Sequence, residues 1–169
     1  MIRLGKKEDV NQEDQARQFE ILMTKMHQAG YEHYETSNFA LAGFRSRHNS
    51  SYWQQKRYLG IGPSAHSFDG ENRYWNIANN PLYIKAINDG ALFFEHEHLT
   101  PAQQFDEYIM TGLRTIEGVS LEQIRIRFGN DVYDKTIGKL KTIPNDWIER
   151  HDENIFLTDR GKLFTDRIS

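Results

Sequence analysis

The sequence predicts an α+β fold in two parts, with a boundary near residue 98. Three observations carry that expectation. Before residue 98, alternating stretches such as Tyr31–Glu35 and Arg73–Ile77 are interleaved with helical ones. Beyond it, two capping boxes, Thr100-Pro101-Ala102-Gln103 and Ser120-Leu121-Glu122-Gln123, open helices. The runs Trp147–Arg150 and Asn154–Leu157, turned at Asp152-Glu153, then read as a hairpin.

In chain order, residues 12–29 form a helix by periodicity. Phe19, Leu22, Met23 and Met26 fall at i, i+3, i+4 and i+7, and Gly30 terminates the run. Tyr31-Glu32-His33-Tyr34-Glu35 alternates like a strand. Residues 38–57 show no clean period and read as a long loop, of the kind that is usually functional inside a compact domain. A short strand near Tyr58–Ile61, a Gly62-Pro63 turn, a strand near Arg73–Ile77 and a short helix over Pro81–Asn88, ended by Gly90, follow.

Past the boundary, Phe105, Tyr108, Ile109, Gly112, Leu113 and Ile116 form one continuous helical stripe. The second capping box opens a helix to about Phe128, and a third spans roughly Val132–Lys141. After the hairpin, Thr158 caps a final helix through Leu163, Phe164 and Ile168. Three helices, a hairpin and a helix make residues 99–169 resemble a winged helix. Nucleic-acid binding is disfavoured, because residues 100–169 hold ten Lys/Arg against twelve Asp/Glu.

Composition bounds the rest. The 169 residues allow one domain or two small ones and can bury a real core. Hydrophobic residues make up only 38% and mean hydropathy is −0.74, but aromatics reach 12%, so large rings do much of the burying. Net charge is −3, which gives no general pull toward nucleic acid or anionic membrane. No apolar run approaches the ~18 residues of a membrane span. The start, Met1 to Asp9, has no apolar stretch after its charges and does not read as a signal peptide. Cysteine is absent, which removes disulfides, thiol nucleophiles and any self-held iron–sulfur cluster. The expected compartment is the cytoplasm.

One segment stands out chemically. Phe44 to Tyr58 contains four Lys/Arg, four aromatics, one histidine and no acid, inside a chain that is acidic overall. Arginine forks pair with carboxylates, aromatic faces stack on flat conjugated ligands, and a neutral imidazole can ligate iron. The combination fits a flat anionic ligand such as a porphyrin with its propionates; a packed surface loop has the same composition. Tyr58-Leu59-Gly60-Ile61-Gly62-Pro63-Ser64-Ala65-His66-Ser67 runs into a glycine turn that is neither a P-loop nor a dinucleotide fingerprint. His96 and His98 would share one face of a strand, with no obvious third metal ligand.

Gly30 to Ala40 resembles a segment of the oxygen-independent coproporphyrinogen III oxidase group of radical S-adenosylmethionine proteins. The resemblance continues through Ser46–Trp53 and Tyr58–Ser67 and ends in Leu157–Phe164, so it covers nearly the whole chain. Within the group, the His-Asn-x-x-Tyr-Trp element at His48–Trp53 is similar to the HemW-type haem-chaperone branch. Thr36 stands where the decarboxylase branch more often has isoleucine, and Ser64 where it often has glycine.

The resemblance implies that residues 1–98 hold the last elements of an incomplete α/β barrel, and residues 99–169 the HemN-type C-terminal domain. It further implies an N-terminal barrel half, absent here, that carries the family's cysteine motif, its iron–sulfur cluster and S-adenosylmethionine. Without cysteine, this chain alone is expected to be catalytically inert. In the site so implied, His48 is the candidate haem-iron ligand and Asn49 belongs to the same element. Tyr52 and Trp53 form the ring platform, and Arg45 and Arg47 are the propionate partners. Asn38, Phe39 and Ala40 line the S-adenosylmethionine side. Three functions follow: haem binding and delivery to an acceptor protein, oxidative decarboxylation of coproporphyrinogen III, or a non-catalytic winged-helix interaction module.

Overall fold

The computed structural model describes residues 11–168, so the reading of Met1 to Asp9 lies outside the described residues. Helix α1 (Gln12–Gln28) starts where the Asn11 side chain accepts from the Glu13 amide at 3.0 Å. It leads into an antiparallel hairpin of β1 (Glu32–Glu35) and β2 (Asn38–Ala40), in which Glu32 pairs with Ala40 and His33 with Phe39. The register slips between His33 and Glu35, and His33, Tyr34 and Glu35 are all buried. The bulge and cover on both faces override the alternation read from the sequence.

The expected loop over 38–57 is corrected at two places: β2 occupies its start, and helix α2 (Arg47–Trp53) its second half. Next comes an antiparallel sheet of β3 (His66–Phe68), β4 (Asn72–Asn76) and β5 (Phe94–His98), in that order, with helix α3 (Asn80–Asn88) between β4 and β5. The strand expected at Tyr58–Ile61 is not one. Tyr58 makes a single bridge to Phe68, and the strand proper starts at His66. Ser64 adopts φ 61°, a left-handed conformation that glycine takes at less cost. Among the described residues every strand pairs antiparallel.

The second part builds the core. Helix α4 (Pro101–Leu113) opens on the Thr100 capping box, with Gln103 reaching back to the Thr100 amide at 2.9 Å. Strand β6 (Val119–Ser120), helix α5 (Leu121–Phe128) and helix α6 (Asn130–Leu140) follow. Strands β7 (Ile148–His151) and β8 (Asn154–Leu157) then complete a sheet of order β6-β8-β7. Leu113, Val119, Leu121, Ile124, Ile155 and Leu157 form one buried cluster. Leu121 and Ile124 are wholly enclosed, each contributing about 1.5–3 kcal/mol by area.

The final helix is broken into α7 (Asp159–Lys162) and α8 (Thr165–Ile168). Mixed α+β architecture is as expected. Among the described residues, no helix is long and apolar enough to cross a membrane.

Candidate functional site

Helix α2 is about two turns long and capped by Ser46, whose Oγ accepts from the Asn49 amide at 3.2 Å. Its spacing sorts four side chains onto two faces, because residues four apart are neighbours on a helix. His48 and Tyr52 lie on the outer face, and Asn49 and Trp53 on the inner one. Outside, the exposed His48 ring stands edge-on to Tyr52 at 4.9 Å. Tyr52 meets Tyr58 at 4.6 Å, and Tyr58 meets Phe68 at 6.3 Å. The four rings form a continuous row leading away from an accessible imidazole. Burial, with the neighbouring Tyr52, raises the Tyr58 hydroxyl pKa.

The inner face is tied to the rest of the chain by a buried carboxylate. Glu35 is 1% exposed. Its oxygens accept from the Ser37 amide at 3.1 Å, from the Asn38 amide group, and from Arg114 Nε at 3.1 Å. Asn38 in turn accepts from Asn49 Nδ2 at 3.3 Å. The Arg114 guanidinium lies 5.0 Å over the Trp53 ring. One network therefore joins hairpin, α2 and the end of α4, and neither Glu35 nor Arg114 was singled out from the sequence. The Trp53 indole N–H is buried and has no hydrogen-bond partner.

The expected arginines differ in their commitments. Arg45 grips Glu32 through Nε at 2.7 Å and Nη2 at 2.6 Å, and Glu117 through Nη1 at 2.6 Å. The hydrogen bond to Glu32 heads the causes that raise its pKa. Arg45 is therefore a clamp between the two parts of the chain. Arg47 is exposed in the first turn of α2 and makes no ion pair among the described residues. Tyr52 is the more exposed of the two rings, and Tyr52 and Trp53 together border a hollow with Tyr58 and Phe68.

The residues expected to line S-adenosylmethionine each have contacts within the chain. Both ends of the Asn38 amide are engaged, Phe39 stacks on His33 at 4.1 Å, and Ala40 is buried. No cysteine is present to hold a cluster. Among the described residues, no group of three or more His, Asp or Glu is placed to bind a metal ion. His96 stacks on Tyr74 at 5.6 Å, and His98 pairs with Asn72 at 3.0 Å.

His33 is buried against Phe19 and Phe39. Its Nε2 faces the Thr36 carbonyl at 3.0 Å and its Nδ1 faces the Lys162 ammonium at 3.3 Å. Nε2 must donate and Nδ1 accept, so the ring is held neutral. Desolvation lowers its pKa below 6.5, the Thr36 carbonyl opposes that shift, and the Lys162 charge adds to it. The folded state thus binds this proton less tightly than the unfolded chain. Stability is full above pH 6.5, falls as pH drops through 6.5 toward the folded pKa, and is flat below it. His33→Gln keeps a donor for Thr36 and should flatten that loss, as read from urea midpoints at neutral and mildly acid pH. Parallel pH profiles for the two proteins would contradict the assignment.

Residues 99–164 match the HemN C-terminal domain family. The chain is 33% identical over 159 residues to the heme chaperone HemW of Bacillus subtilis, covering 93% of this chain and 42% of that protein. It is 33% identical over 153 residues to HemW of Lactococcus lactis, covering 89% and 40%. In fold it resembles the radical SAM enzyme coproporphyrinogen III oxidase (HemN) from Escherichia coli. The TM-score is 0.66 at 16% identity, over 88% of this chain and 38% of that one. The chain spans about two fifths of the length of the curated relatives it matches. It belongs to the HemW/HemN-like radical S-adenosylmethionine proteins, as part of their C-terminal region.

Proposed function

We propose that this chain is the haem-facing part of a HemW-type chaperone, which holds haem as cargo and passes it to an acceptor protein. The observation that carries this reading is the outer face of α2, where an exposed imidazole heads the ring row Tyr52–Tyr58–Phe68. Rings provide stacking area for a porphyrin, and an unengaged imidazole is a competent iron ligand. Arg47 supplies a free cation beside them. Arg45 can reach a propionate only by releasing Glu117, the more exposed of its two carboxylates. Asn49 acts from beneath, fixing the helix to Asn38.

Residues up to 98 then correspond to the end of the barrel and its connection, and residues 99–169 to the winged-helix-like C-terminal domain. The antiparallel β6-β8-β7 sheet behind three helices supports that second assignment. The family's cluster and S-adenosylmethionine would be held by the remainder of a longer protein, since this chain contributes no thiolate.

Haem titration of the intact protein tests the reading. His48→Ala should weaken binding roughly tenfold and alter the Soret band without abolishing association, because stacking and propionate contacts remain. Tyr52→Ala should cost affinity and leave the spectrum of bound haem nearly unchanged. Unchanged affinity and spectrum for His48→Ala would overturn the assignment. The fold shared with coproporphyrinogen III oxidase favours a second reading, in which the same surface cradles a porphyrinogen. Turnover of coproporphyrinogen III by the intact protein would select it.

A further inference from the structure

A second recess lies beneath α2, sharing Trp53, Gln55 and Thr111 with the hollow that the ring row borders. It has a volume of about 210 Å³ and is closed by β1, α2, α4 and α5. Its walls carry hydrogen-bond donors, one of them buried without a partner. The buried Trp53 indole N–H has no partner. Tyr34 is 5% exposed and lines the same cavity. Arg127, at the rim, reaches only the neutral Gln55 oxygen at 3.4 Å, with its plane over Tyr108 and Phe128. Glu117, the one carboxylate on the lining, is held by Arg45.

A buried donor left unpaired costs stability, and such groups in folded proteins commonly mark an absent acceptor. A buried unpaired donor in a cavity that Tyr34 also lines, with the Arg127 cation at its rim, favours an acceptor that is itself anionic. The volume suits a short carboxylate arm better than a whole ring system.

We propose that the cavity between α2 and helices α4 and α5 is a carboxylate pocket, in which Trp53, Tyr34 and Arg127 hold one propionate arm of a porphyrin. The choice of porphyrin rests on the haem reading above, whereas the preference for a carboxylate rests on the cavity alone. At a rise of 1.5 Å per residue, Trp53 stands about 7.5 Å along the α2 axis from His48. His48 and Trp53, on one short helix, thus serve the metal and one acid group of a single ligand. Arg127 comes from the C-terminal domain, so ligand binding bridges both parts of the chain.

Two measurements on the intact protein decide the matter. The first follows the indole N–H resonance of Trp53, assigned by its loss in Trp53→Phe, while sodium propionate is added. It should move saturably, and Arg127→Gln should require roughly tenfold more propionate. The second compares haem with haem dimethyl ester, whose acid groups are capped. Haem should bind about tenfold more tightly, and Arg127→Gln should bring the two affinities together. If haem binds with a His48-dependent Soret band but the ester binds equally well and propionate leaves the indole resonance still, the cavity holds water only and the pocket is refuted. If propionate moves the resonance but haem does not bind, the carboxylate pocket stands and the haem reading falls.

Discussion

Arg114→Leu should destabilise the protein by about 3–5 kcal/mol at neutral pH, the cost of stranding a buried charge. Glu35 is 1% exposed, so its carboxylate cannot recover hydration when the guanidinium is removed. The Ser37 amide and Asn38 amide group remain on Glu35, but they bring no charge. The change also strips the cation from the Trp53 ring and loosens α2 on its inner face. Guanidinium unfolding reads the loss directly. The double variant Glu35→Leu/Arg114→Leu should recover most of it, since replacing both members of a buried pair by apolar groups is often nearly neutral. A single variant that loses less than about 1 kcal/mol, the range of an exposed ion pair, would show that the Glu35 site admits water.

The elements that announced themselves are those with a local cause. Thr100, Ser120 and Thr158 each accept from the amide three residues on, and the helices begin where those caps placed them. The hairpin of β7 and β8 turns at Asp152, which adopts φ 54°. Helix α2 had no such signal beyond Ser46. Seven polar and aromatic residues give fewer than two full turns of period, and the helix is held by Asn38 and Arg114 from elsewhere in the chain. Such tertiary support overrides weak local preference.

The same distinction separates the legible and illegible parts of the candidate site. Local composition singled out His48, Tyr52 and the surrounding cations. It could not reveal that Arg45 would be claimed by Glu117, 72 residues away. Nor could it show that Glu35, a charged residue at a strand end, would be the buried centre joining the two halves. Tyr58 and Phe68 joined the ring row through a single β-bridge, a long-range pairing with no sequence signature.

Gly161→Ala should cost roughly 3 kcal/mol, the range of overpacking against an unyielding neighbour. A Cβ at this position would lie 1.9 Å from the Trp147 carbonyl oxygen. That carbonyl cannot swing away freely, because it accepts from the Thr158 amide at 3.0 Å. Helix α7 must therefore lift off β7, or the Thr158 bond must break. Either response disturbs the Trp147–Phe164 stack, whose rings lie 4.2 Å apart and nearly parallel. It also withdraws Lys162, which reaches across to His33 at 3.3 Å. The expected result is a lower guanidinium midpoint together with a weakened near-ultraviolet aromatic signal. Gly161→Ser should behave like alanine, since it adds the same Cβ. A wild-type midpoint for both variants would mean that α7 does not press on the Trp147 carbonyl, and that the small residue here is dispensable.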